Sequence, residues 1–111
     1  MEISTTPYKR CTLIKISGRV DSSTAPKLLE TINQVQHSGQ YRIVIDLDAV
    51  DFVSSSGLWV LVNTQKSSRR YNRGEVVLAS VPEKIHASLE LAGFVPFFKM
   101  YPDVTSAVGN F

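Results

Sequence analysis

Three consecutive serines, Ser54, Ser55 and Ser56, run directly into Gly57, Leu58 and Trp59 behind the stretch VIDLDAVDFV. A hydroxyl at the start of a helix has two chemical uses. Its oxygen can accept a hydrogen bond from a first-turn amide and so cap the helix. An exposed hydroxyl there can instead carry a phosphate, which the free amides and the positive end of the helix dipole tolerate. The pattern assigns the cap to at least one of the three serines and leaves the second use open. Trp59 follows Ser55 by four residues, on nearly the same side of such a helix. Leu58, Leu61 and Val62 take the inward positions. The indole then either stands exposed beside the serine as an interface anchor or packs under a neighbouring loop.

Other chemistries fit this chain less well. Asp46, Asp48 and Asp51 offer carboxylates to a hard cation, but acids at a strand end also serve as turn and cap residues, and no metal is expected. SSSGL lacks the glycine that a nucleophile elbow carries two residues before its serine. His37 and His86 read as surface residues, and neither is placed as a base for that serine. No glycine-rich phosphate loop occurs, so no bound nucleotide or other cofactor is expected. Lys66, Arg69, Arg70 and Arg73 suit the C-terminal end of a helix dipole and read as a solvated face, with contact to an acidic partner as the alternative. An enzyme is therefore not the expectation.

These residues need elements to position them. CTLIKIS, residues 11–17, alternates and reads as a strand ending at Gly18. Ser22 to Thr24 supply an N-cap, Pro26 suits a first turn, and Ala25, Leu28, Leu29, Ile32 and Val35 form one apolar stripe that stops at Gly39. RIVIDL, residues 42–47, is apolar enough for a strand covered on both faces. The serine helix should run from Ser55 to about Tyr71. EVVLAS reads as a third buried strand, and Pro82 opens a helix with Ile85, Leu89 and Ala92 inside. PFFKMY reads as a last short strand before a helix begun at Pro102 or Asp103, and residues 3–8 add an edge strand. Alternating strands and helices with short connections imply βα units around a parallel or mixed sheet.

Composition sets the remaining bounds. The chain has 111 residues, 43% hydrophobic and 20% charged, which suits one globular α/β domain. A net charge of +2 gives no basic stripe of the kind nucleic-acid binders show, and no apolar run is long enough for membrane insertion. Cys11 has no partner cysteine and sits in an apolar run, as a buried core thiol would. With no signal-like start and no N-x-Ser/Thr site, a cytoplasmic location is expected.

The stretch VIDLDAVDFVSSSGL resembles the signature of the anti-sigma factor antagonists, bacterial members of the STAS family. In that signature an apolar V-x-x-D-L strand precedes an aromatic, two variable positions and Ser-Ser/Thr-Gly-Leu, here Ser55, Ser56, Gly57 and Leu58. Gly18, Val20, Asp21 and Thr24 are similar to the family's turn after its first long strand, and ELAGF resembles its turn into the last strand. The likeness extends from about residue 8 to the C-terminus.

The resemblance implies a single STAS domain over residues 1–111, with a mixed or mostly parallel sheet of four to five strands and about four helices. It implies a binding switch as well: the domain docks on a serine kinase that is also an anti-sigma factor, is phosphorylated by it and released, and is reset by a serine phosphatase. By position Ser55 is the acceptor. Ser56 is the neighbouring hydroxyl, Gly57 the small residue that admits a partner backbone, and Asp21 the acidic position of the adjoining loop. Many phosphorylated members carry aspartate just before the acceptor. Ser54 stands there in this chain, so Ser54 and Ser56 remain rival acceptors. Asp21, Ser54, Ser56, Gly57 and Trp59 then form the partner-binding set, on a protein expected to be a monomer when free. The alternative is a constitutive STAS subunit of a signalling or lipid-transport assembly, docking through the same loop without phosphate.

Overall fold

Period-two patterning with β-branched residues makes the strands, and the structure, a computed structural model describing residues 1–111, collects all five into one sheet. In chain order the elements are β1 (Glu2–Pro7), β2 (Thr12–Val20), α1 (Ala25–His37), β3 (Arg42–Val53), α2 (Ser55–Arg69), β4 (Glu75–Ala79), α3 (Glu83–Leu91), β5 (Lys99–Tyr101) and α4 (Val104–Gly109). Short 3-10 turns at Arg70–Asn72 and Val95–Phe97 follow α2 and precede β5. The sheet order is β1-β2-β3-β4-β5, with β1 antiparallel to β2 and every other pair parallel. The expected mixed, mostly parallel α/β architecture is what forms.

Both faces of the central strand are buried, as its near-continuous apolar run requires. Ile43, Ile45 and Leu47 of β3 join Ile14 and Ile16 of β2 beneath α1, α2 and α3, which contribute Leu28, Ile32, Leu58, Leu61, Ile85 and Leu89. Val44 and Val77 point the other way and meet Cys11 and Ala107 of α4. Burial of Cys11 raises its thiol pKa, which suits the core role expected of it.

One polar side chain closes the sheet from within the helical layer. β4 meets β5 only from Val77 onward, so the groups of Val76 lack a strand partner on that side. Gln65 of α2 supplies one: its Oε1 accepts from Val76 N–H at 2.8 Å, and its Nε2 donates to the carbonyls of Val76 (2.9 Å) and Phe97 (2.7 Å). No buried side-chain polar atom is left without a partner.

Several expectations need correction. β2 does not end at Gly18; the glycine takes φ +88°, the register slips beside it, and the strand continues to Val20. β3 likewise runs six residues past Leu47, because Ala49, Val50, Phe52 and Val53 pair with the bulged end of β2. Leu29 borders the α1 stripe and is exposed, and Ala92 lies past the end of α3 and is exposed too. PFFKMY is half turn, half strand: Pro96 enters a 3-10 turn and only Lys99–Tyr101 joins the sheet.

Candidate functional site

The extensions of β2 and β3 carry two loops to the same edge of the molecule. Ser54 N–H donates to the Val20 carbonyl at 2.7 Å, locking the end of β3 to the start of the Asp21 loop. Asp21 organises that loop. Its Oδ1 accepts from the Ser23 hydroxyl (2.7 Å), the Ser23 amide (3.0 Å) and the Thr24 amide (3.2 Å), while its own amide donates to Thr24 Oγ1 at 2.8 Å. Those bonds, the Ser23 hydroxyl first, hold the Asp21 carboxyl below the usual range, so the loop presents a fixed negative charge at neutral pH. The Asp21 carboxylate is thus the side-chain acceptor for the Ser23 and Thr24 amides leading into α1, and Thr24 makes no side-chain bond to a first-turn amide of the helix.

The three serines divide their work. Ser54 has extended backbone at the N-cap of α2, and its Oγ accepts from Gly57 N–H at 3.3 Å. Aspartate and serine are about equally good in this position, so Ser54 performs the capping job that an aspartate there would do. Ser55 and Ser56 are exposed on the first turn, and no hydrogen bond engages either hydroxyl. Replacing the cap is expected to be cheap and local: Ser54→Ala should cost about 1 kcal/mol in urea unfolding. A loss above about 3 kcal/mol would show that Ser54 holds more than the helix end.

Gly57 also has a packing role inside the domain. It is buried, and a Cβ there would stand 2.7 Å from Val20 Cγ1, 2.8 Å from Val53 Cγ1 and 3.2 Å from the Val20 carbonyl. The close approach it permits within this domain is that of α2 onto the ends of β2 and β3. Gly57→Ala therefore should destabilise by about 1–3 kcal/mol in urea unfolding, through displacement of Val20 and Val53. An unchanged midpoint would mean that the two valines rotate away freely.

Asp46 is buried within β3, paired with Lys15 and Ala79, its Oδ1 accepting from Asp48 N–H at 3.0 Å, and Asp48 and Asp51 are exposed. The three acids are not gathered into a cluster that could hold a metal ion. His37 ends α1, and His86 lies 3.8 Å from Glu90 one turn along α3.

Trp59 shows both of the faces considered for it. Half of its surface, 51%, stays exposed on the Ser55 side of α2, and its ring edge meets Phe94 at 5.5 Å between centroids. Phe94 in turn meets Phe97 at 6.0 Å, and Leu91 nearby at the end of α3 is almost wholly exposed. The serines thus adjoin an apolar surface built from two separate segments. The sequence offers little signal for this pair: Phe94 closes the ELAGF turn and Phe97 reads as part of the PFFKMY strand, yet both lie outside the sheet, in a segment punctuated by Gly93 and Pro96.

The strand–serine–helix arrangement, the adjoining acidic loop and the five-stranded sheet together match one family. The model of the STAS domain fits residues 2–107. The chain belongs to the STAS domain family. Among relatives of this STAS domain, BtrV of Bordetella bronchiseptica, described as an anti-sigma factor antagonist, is 29% identical over 96 residues, covering 86% of this chain and 82% of its own. The anti-sigma-B factor antagonist of Staphylococcus aureus is 28% identical over 93 residues, covering 84% and 85%. The crystal structure of an anti-sigma factor antagonist from Mycobacterium paratuberculosis superposes with a TM-score of 0.88 at 25% identity, covering 98% of this chain and 92% of that one. No helix of this STAS domain is long and apolar enough to cross a membrane.

Proposed function

We propose that this STAS domain is an anti-sigma factor antagonist: a protein-binding switch that docks on a serine kinase acting as an anti-sigma factor and is released when that kinase phosphorylates Ser55. The observation that carries the assignment of the acceptor is the division among the serines. Ser54 is committed to the helix cap, whereas the Ser55 and Ser56 hydroxyls are exposed and engage nothing, and of these two Ser55 holds the position that resembles the family's acceptor. Similarity to two antagonists across most of the chain supports the regulatory role.

The kinase brings ATP and the catalytic groups; this domain brings the hydroxyl and the surface around it. Docking uses Ser55, Ser56 and Trp59, with Phe94 and Phe97 extending the apolar part and Asp21 supplying the charge in the adjoining loop. A phosphate on Ser55 adds about −1.5 to −2 charges and three strong acceptors. The first-turn amides of α2, which have no intrahelical partner, accommodate it without unfolding the domain. In the complex the same charge must be desolvated against the partner and beside Asp21, so it drives release. A separate serine phosphatase resets the switch. On this reading the free protein is a cytoplasmic monomer.

Capture from the protein's own cells tests the proposal. Wild-type bait should retain a serine kinase that a Ser55→Asp bait does not. Equal retention by both baits would contradict the switch and describe a constitutive docking subunit instead.

A further inference from the structure

At the other end of α2 the chain builds a second charged surface that the switch does not use. α2 has 15 residues, so its C-terminus lies roughly 22 Å from Ser55 at about 1.5 Å per residue. There Arg69, Arg70 and Arg73 gather beside Arg42 at the start of β3, with Lys66 one turn earlier. The acidic side chain among them, Glu75, is already shared between Arg69 (3.0 Å) and Lys99 (3.7 Å). Lys66, Arg42, Arg70 and Arg73 have no acidic side chain within 4.0 Å. Placing like charges together without counter-charges costs stability unless something else balances them.

The arginines are also held in place. Arg73 lies 4.0 Å above the Tyr41 ring, its Nη1 donates to the Tyr41 hydroxyl at 2.9 Å, and its Nε donates to the Arg70 carbonyl at 3.2 Å. Tyr71 stands beside it, 76% exposed, with the Arg70 and Arg73 guanidinium groups 5.2 and 5.6 Å from its ring centre. To present it so, Tyr71 and Asn72 both adopt left-handed backbone, φ 59° and 57°, a conformation that a bulky side chain rarely takes. Strained backbone that keeps a large aromatic in solvent is a feature a merely solvated helix end does not need. A cavity of about 430 Å³ opens next to the patch, lined by Arg42, Arg69, Asn72, Gly74, Glu75 and Phe111.

We infer that this pole of the domain is a docking surface for an acidic protein segment, whose carboxylates pair with Arg42, Arg70 and Arg73 while its backbone packs on Tyr71. Carboxylate is favoured over nucleic acid for two reasons. Three of the four free cations are arginines, whose planar forks bind carboxylate in bidentate fashion, and arginine with tyrosine is the pair enriched at protein interfaces. Strand-tracking nucleic-acid sites stack successive bases on several open aromatic faces, whereas Arg73 already covers the Tyr41 ring and Tyr71 alone stays widely exposed here. The surface lies at the far end of α2 from Ser55, so the acidic segment can stay bound whether or not the serine carries phosphate.

Fluorescence anisotropy with a labelled glutamate decamer tests this, in low salt so that exposed charges are poorly screened. The decamer should bind the wild-type protein, and Arg70→Ala with Arg73→Ala should weaken it by at least about tenfold. Tyr41→Phe removes the hydroxyl that holds Arg73, and Arg73→Lys keeps the charge but not the fork; each should weaken binding about threefold to tenfold, with unchanged circular dichroism. Ser55→Asp should leave the affinity unchanged, which separates this surface from the switch. No binding, binding indifferent to the double substitution, or full binding by both Tyr41→Phe and Arg73→Lys would overturn the inference. So would a labelled thymidine decamer of single-stranded DNA that binds more tightly than the peptide.

Discussion

Ser55→Asp should reduce affinity for the partner kinase by about a hundredfold, and stoichiometric phosphate on Ser55 by at least as much. The estimate follows from where the charge lands. Ser55 is exposed, so the free domain tolerates the change, and unfolding midpoints of wild type and variant should agree within about 0.5 kcal/mol. In the complex the added carboxylate is stripped of water at the contact, where an unmatched charge costs several kcal/mol. A loss of about 3 kcal/mol already corresponds to more than a hundredfold in Kd. Isothermal titration of the kinase with both forms reads the difference directly. Trp59→Ala supplies the companion value, because truncation of an indole at the centre of an interface removes about 2 kcal/mol or more, a loss of about thirtyfold in affinity. If Ser55→Asp binds within about threefold of wild type, less than 0.7 kcal/mol, charge at this position does not control docking.

The largest loss of stability should come from Gln65→Leu. The substitution keeps volume and helix propensity, so packing and local preference change little. What it removes is the set of partners for Val76 N–H, the Val76 carbonyl and the Phe97 carbonyl, all met by one amide at 2.7–2.9 Å. A buried group left unpaired costs about 1–3 kcal/mol, so two or three of them should remove about 3–5 kcal/mol. That is a large share of the roughly 5–15 kcal/mol a domain of this kind has. The urea midpoint should fall sharply with an unchanged slope. The bond to Phe97 also ties the aromatic loop to α2, so Trp59 fluorescence should shift even below the transition. A change under about 1 kcal/mol would mean that water replaces the glutamine and that the sheet does not depend on it.

How far the sequence discloses these features depends on their range. The first half of the central strand, the helix begun at Ser55 and the alternation of elements are local patterns, written as apolar runs and turn residues, and they fold as read. The far half of β3 is not readable locally: Asp48, Ala49 and Asp51 look like a loop, and only pairing with the bulged end of β2 makes them strand. The same long-range contact decides Gly57, whose missing side chain faces Val20 and Val53. The serine site was legible as a motif, but which serine caps and which is free required the backbone of residues 54–57. The aromatic surface joins Trp59 to Phe94 across 35 positions of sequence, and Gln65 reaches Phe97 across 32. No periodicity records contacts of that kind.

The central claim, that Ser55 is the switched residue, is tested most directly by mapping phosphate by mass spectrometry on protein isolated from its own cells, beside Ser55→Ala and Ser54→Ala controls. The account predicts phosphate on Ser55, absent from Ser55→Ala and retained in Ser54→Ala, whose lost cap weakens the helix end but leaves the acceptor in place. Phosphate on Ser54 would contradict the division of roles among the serines, and none on any of the three under all growth conditions would contradict the switch itself.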